Sequence, residues 1–188
     1  MAVARQARIL MVDDRRENLT ALQAILQGLA VSTEAVTSGE GALKKLLTGE
    51  FAVILLDAQM PGMDGFETAR HIKQRERTRH TPIIFLTAAD RDSHMAFRGY
   101  AAGAVDYITK PFDPWALRAK VGVFVDLWDR KEKLKAEAAR LRIAETERDR
   151  LRSIIEDAAR TLREGNGDRP PENVAKALKT LAQAEVDG

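Results

Sequence analysis

Five side chains of unlike chemistry stand at or just past the ends of short aliphatic runs in this 188-residue sequence. Asp13 and Asp14 follow RILMV, Asp57 follows FAVILL, Thr87 follows PIIFL, and Lys110 comes two residues after VDYI. A buried run that ends on a carboxylate is costly unless the charge sits at a rim where it meets a partner. In a sheet of parallel strands, functional groups collect just outside the carboxyl ends of the strands. There, three carboxylates, a hydroxyl and an ammonium would converge on one cleft. Clustered carboxylates repel, which raises their pKa values or demands a cation, and oxygen ligands that leave room for several waters suit Mg²⁺.

The elements that would position these groups are legible in the pattern. RILMV (8–12), VSTEAV (31–36), FAVILL (51–56), PIIFL (82–86) and VDYI (105–108) read as strands. The first and third are nearly continuous in apolar residues, as expected where helices cover both faces of a parallel sheet. Between them, Leu19, Leu22, Leu26 and Leu29 recur at helical spacing, as do Ala42, Leu43, Leu46 and Leu47 behind Ser38 as N-cap. Asp64 with Glu67 resembles a capping box opening a third helix, Ser93 can open a fourth, and Asp113-Pro114 suits the start of a fifth. Strand and helix alternate five times, which predicts an α/β domain with a doubly wound, five-stranded parallel sheet over residues 1–125.

Beyond that boundary the composition changes. Residues 126–188 hold 14 Lys+Arg against 14 Asp+Glu and no strand signal. Leu127, Leu134 and Leu141 are spaced by seven, and Leu141, Ala144, Arg148, Leu151, Ile155, Ala158 and Leu162 continue at steps of three and four. The two seams are offset near 141–148, so the heptad pattern is imperfect. No Pro or Gly interrupts the chain between Gly122 and Gly165. A single helix from Asp113 to Glu164 would extend roughly 75 Å. It needs a second helix to cover its seam, so residues 126–164 are expected to form a homodimeric coiled coil. A turn and a short helix built on Val174, Ala177, Leu178 and Leu181 are expected over 165–188.

Composition excludes several classes of function. The chain has no cysteine, so disulfides, thiolate zinc sites and cysteine nucleophiles are ruled out. A net charge of +2 with interspersed signs argues against a nucleic-acid surface. No apolar stretch is long enough to span a membrane or serve as an export signal, so a cytoplasmic location is expected. His71, His80 and His94 lie in polar contexts and read as surface residues.

The set MVDD, ILLDAQMPGMDG, IIFLTA and DYITKPF, in this order and spacing, resembles the receiver domain of bacterial two-component response regulators. The resemblance covers about residues 6–125. It implies that Asp57 accepts a phosphoryl group from a sensor histidine kinase, forming an acyl phosphate. It implies that Asp13, Asp14, Asp57 and the backbone carbonyl of Gln59 hold Mg²⁺, and that Lys110 and Thr87 engage phosphoryl oxygens. It also implies a cis Lys110-Pro111 peptide and a switch in which Thr87 moves toward the phosphoryl group while Tyr107 turns inward. Gln59 and Ala89 stand where the family tunes water access.

The expected output is a phosphorylation-controlled dimer whose coiled coil relays the change to a downstream protein. On this reading the chain is no enzyme beyond its own phosphorylation and dephosphorylation. The alternative is the receiver and signalling helix of a larger cyclase, phosphatase or kinase. A transcription factor would want a basic patch and a helix-turn-helix, which the tail lacks. A phosphotransfer role for the tail would need a histidine, and none follows His94. A hydrolase with an aspartyl nucleophile would want an acid at position 59, which is Gln59.

Overall fold

The computed structural model describes residues 6–88 and 103–166, together with 172, 175 and 176. Five strands are present: β1 (Arg8–Val12), β2 (Ser32–Val36), β3 (Val53–Asp57), β4 (Ile83–Ala88) and β5 (Asp106–Lys110). The described helices are α1 (Arg16–Leu26), α2 (Gly39–Thr48), α3 (Gly65–Gln74) and α4 (Pro114–Asn166). The helix expected after Ser93 and most of the short one expected over 174–181 lie outside the described residues. The strands form one parallel sheet in the order β2-β1-β3-β4-β5. β5 begins and ends later than the apolar run indicated: it runs through Lys110, because its pairing with β4 continues to Ala88 opposite Lys110.

Alternation along the strands builds two cores. Leu10, Val12, Ile54, Leu56, Ile83 and Phe85 pack with Ala42, Leu46, Phe66 and Ile72, beneath α2 and α3. Ile9, Met11, Val53, Leu55, Ile84, Leu86 and Ile108 pack with Leu22, Leu26, Leu117 and Val121, beneath α1 and α4. β3 is buried along its whole length, which accounts for its unbroken aliphatic composition.

Side-chain caps set the helix starts. Ser38 Oγ accepts from the Gly41 N–H at 3.1 Å, Asp64 Oδ1 from Glu67 N–H at 2.7 Å, and Asp113 Oδ1 from Trp115 N–H at 2.8 Å. Each such cap contributes about 1 kcal/mol. α1 has no side-chain cap of its own, because the acid that precedes it, Asp13, accepts from the Arg15 N–H instead.

The chain divides into two units, Met1–Lys133 and Leu134–Gly188. In the first, Trp128 of α4 is buried against Ala7 and Ala52. In the second, Leu134, Leu141, Ile143, Leu151 and Ile154 are exposed, so the apolar residues of that helical stretch find little cover.

Gly65 marks the tightest approach of a helix to the strand that carries Asp57. A Cβ there would lie 2.1 Å from the Asp57 carbonyl oxygen and 2.9 Å from Ala58 Cα, both backbone atoms that cannot swing aside. Gly65→Ala is therefore expected to lower the unfolding free energy by about 1–3 kcal/mol. At Gly122, inside α4, a Cβ meets nothing within 4 Å, and Gly122→Ala should raise stability by about 0.5–1 kcal/mol. Urea unfolding followed by circular dichroism measures both, and equal effects would contradict the packing described.

Candidate functional site

The ends of β1, β3 and β5 bring three groups to one point. By strand alternation Asp13 follows Met11, Asp57 follows Leu55 and Lys110 follows Ile108, all on the sheet face beneath α1 and α4. The pairing registers complete the alignment: Val12 lies opposite Leu56 and Asp57 opposite Leu86, so the acids of the two central strands are neighbours. Lys110 Nζ donates to Asp13 Oδ2 at 2.7 Å and to Asp57 Oδ2 at 2.9 Å. One ammonium thus bridges residues 97 and 53 positions away in sequence.

Asp14 completes the cluster. Asp13, Asp14 and Asp57 each offer an oxygen, and the three oxygens lie within 4.8 Å of one another. Asp13 is fully buried and Asp57 is 6% exposed, while Asp14 is the most open of the three. Three negative charges against one positive leave the cluster negative, and a divalent cation would neutralise the remainder. An all-oxygen donor set with one open side fits a hard ion that keeps waters. Gln59 sits beside it, its N–H 3.4 Å from Asp57 Oδ1.

Electrostatics follow from this crowding. Burial raises the Asp57 carboxyl above its ordinary range; the hydrogen bond and charge of Lys110 oppose that rise, and the Asp13 charge adds to it. Burial pulls the Lys110 ammonium down, but its bonds to Asp13 and Asp57 outweigh burial and hold it above the ordinary lysine value. The carboxylates therefore keep the lysine charged, while the lysine only partly relieves Asp57.

Thr87 lies one residue past the partner of Asp57, opposite Thr109, and its hydroxyl makes no hydrogen bond among the described residues. Alternation puts it on the face of Phe85, away from Leu86. Tyr107 shares that face on the neighbouring strand and is 42% exposed, so the structure does not bring it into the acidic cluster. The Lys110-Pro111 peptide is cis. Ala89 and His94 lie outside the described residues.

One contributor escaped sequence reasoning. Asn18, in the first turn of α1, donates its side-chain amide to Asp13 Oδ1 at 2.9 Å and Oδ2 at 3.0 Å. With the Arg15 N–H and Lys110, it fixes the plane of the carboxylate. The available signal was position: an amide five residues after Asp13, adjacent to the apolar stripe that begins at Leu19.

Comparison with known proteins places this geometry. A model of the response regulator receiver domain matches residues 9–122. Response regulator PleD of Caulobacter vibrioides is 39% identical over 115 residues, covering 61% of this chain and 25% of that protein. A probable cyclic di-GMP phosphodiesterase of Vibrio cholerae is 32% identical over 190 residues, covering 96% of this chain and 41% of that protein. The crystal structure of a putative response regulator from Chloroflexus aurantiacus superposes with a TM-score of 0.62 at 30% identity, covering 65% of this chain and 99% of that one.

The Vibrio cholerae match corrects the expectation that the chain is no enzyme and has no catalytic output. Similarity runs through nearly the whole chain, long helix included, into a protein described as an enzyme. The four motifs report on phosphate chemistry at the strand ends, and a charged helix carries no signature of what it serves. Receiver domains are phosphorylated by sensor histidine kinases, and no helix among the described residues is long and apolar enough to cross a membrane. The family model spans well over half of the sequence and the site geometry accords with it: the chain belongs to the response regulator receiver domain family.

Proposed function

We propose that this chain works in the cytoplasm and that Asp57 is the phosphoacceptor, taking the phosphoryl group of a phosphohistidine on a sensor kinase in a Mg²⁺-dependent reaction. The observation that carries this reading is the Lys110 ammonium seated between Asp13 and Asp57, a cation already placed where phosphoryl charge would arrive. Asp57 Oδ attacks phosphorus, the bond to the kinase imidazole breaks, and the imidazole leaves with the electron pair. Lys110 then exchanges a carboxylate oxygen for a phosphoryl oxygen, and Thr87 donates its free hydroxyl to another. Asp13, Asp14, Asp57 and the Gln59 carbonyl would hold the ion, with Asn18 keeping Asp13 in orientation. When bound, Mg²⁺ supplies charge neutralisation at the carboxylates and at the transferring group.

In the switch we assign to the 1–125 domain, Thr87 moves toward the phosphoryl group and Tyr107, exposed here, turns inward along the same sheet face. Residues 126–164 serve as a coiled-coil connector that pairs with a second copy, and 165–188 as a turn and terminal helix. The exposed Leu134, Leu141 and Leu151 support pairing, since such a stripe on a charged helix is covered most simply by its own copy. The Vibrio cholerae relative favours a specific output: phosphorylation controls an enzyme acting on cyclic di-GMP.

Asp57→Asn should abolish phosphate incorporation from a small phosphodonor with Mg²⁺ while preserving helical content, and a chelator should abolish it in the unaltered protein. Undiminished labelling of the variant would remove the assignment.

In metal-free protein the same variant has a thermodynamic signature. The folded value of Asp57 lies above its unfolded one, so its proton-bound form favours folding. That contribution is present below the ordinary carboxylate range and is lost as pH rises through the raised value. Thermal unfolding should therefore show Asp57→Asn more stable than the parent near neutrality, with the gap closing as pH falls through that window.

Sedimentation equilibrium should give twice the chain mass, and Leu134→Asp with Leu141→Asp should give the monomer. A monomeric parent, with and without an acyl-phosphate mimic, would exclude the coiled coil.

A further inference from the structure

A cavity lies at the opposite end of the sheet from the acidic cluster. Its walls come from the segments that lead into β3 and β4 and from the part of α4 around Phe124 and Trp128, and it encloses about 220 Å³. Leu46, Phe51, Phe124 and Trp128 give it an apolar wall.

Trp128 is 8% exposed, and its indole N–H is buried with no acceptor among the described residues. Its packing neighbours, Ala7, Ala52, Val31 and Val125, have only aliphatic side chains. A buried donor left without an acceptor costs about 1–3 kcal/mol, a cost that a phenyl ring at the same position would not carry. The indole nitrogen is itself closed off from the cavity, so Trp128 would meet an occupant with its ring while its N–H reports on one.

Charge at the rim restricts what that acceptor belongs to. Arg77 is anchored beside the cavity by one N–H to the Leu47 carbonyl at 2.8 Å, which leaves its other donors available. Lys131 also lines the cavity and has no ion-pair partner among the described residues. His80 accepts from Arg79, and the lone acid, Glu50, is engaged in another interaction. An apolar wall and two cations match a flat apolar body bearing an anion.

We propose that this cavity is a binding site for a small aromatic carboxylate, its ring against Phe51, Phe124 and Trp128 and its oxygens taking Arg77 and Lys131. Occupancy would bear directly on α4, through Trp128, independently of the phosphoacceptor.

The test uses the full chain with Trp115→Phe, which leaves Trp128 as its single indole, because the protein has two tryptophans. Trp115 is 79% exposed, so the change does not disturb the core. The ¹H–¹⁵N indole resonance is followed while 2-naphthoate, or its neutral isostere 2-naphthamide, is added. A saturable shift is expected at one naphthoate per chain, with the amide about tenfold weaker for want of the charge-assisted bonds. Arg77→Ala should weaken naphthoate by a similar factor and leave the amide unchanged. An indole resonance that does not move, equal binding of acid and amide, or indifference to Arg77→Ala would each overturn the assignment.

Discussion

A lysine ammonium between two buried carboxylates is the constraint on which this molecule turns. At an effective dielectric near 20, two like charges about 4 Å apart repel by about 4 kcal/mol, before any cost of removing them from water. Asp13 and Asp57 approach this closely only because Lys110 reaches both, at 2.7 and 2.9 Å. Asn18 and the Arg15 N–H also donate to Asp13 and hold its carboxylate in place. The site is consequently assembled but still short of positive charge, since Asp14 adds a third acid without adding a cation. An arrangement of this kind, all oxygen and open on the side of Asp14, suits a hard cation.

The sheet topology is what makes that arrangement reachable. β1 and β3 are adjacent at the centre, and β5 lies two strands away beyond β4, at a separation of about 10 Å from β3. Only a long unbranched side chain crosses the end of β4 to reach a carboxylate there, and lysine ends in a compact charge with rotatable donors. The residue at the corresponding level of β4 must then be small, and Ala88 pairs with Lys110. Gly65 meets a similar demand from the other side, letting the start of α3 touch the backbone of Asp57 without a clash.

These demands explain which parts were legible in the sequence. Asp57 was recognisable because a fully buried strand cannot tolerate a carboxylate except at its end, and Ser38, Asp64 and Asp113 because capping is local chemistry. The five strands were visible as aliphatic runs, yet the end of β5 was set two residues short, since Thr109 and Lys110 join the ladder through pairing with Thr87 and Ala88 rather than through hydrophobicity. Asn18 was not legible: an amide at the start of a helix acquires meaning only when the carboxylate it holds is in place. The kind of output was not legible either, because a heptad pattern encodes what a helix packs against and is silent on what it controls.

The same strand that carries Lys110 is tied to the long helix. Asp106 opens β5 and pairs with Lys120 of α4, whose ammonium also approaches the Tyr107 carbonyl at 3.5 Å. One turn on either side, Leu117 and Phe124 join Val121 in packing against the β-sheet core that contains Ile108. A displacement of Lys110 from its two carboxylates therefore strains a five-residue strand held at its opposite end by an ion pair to α4. Trp128 holds the same helix two turns farther on, against Ala7 and Ala52. Between the Asp106–Lys120 pair and Trp128, α4 is clamped at two levels, so a change at either clamp alters the load on the other. Close packing does not absorb such a change gradually, because side chains in a dense interior move between discrete arrangements. Load carried from Lys110 along β5 and load at Trp128 thus converge on the same few turns of one helix.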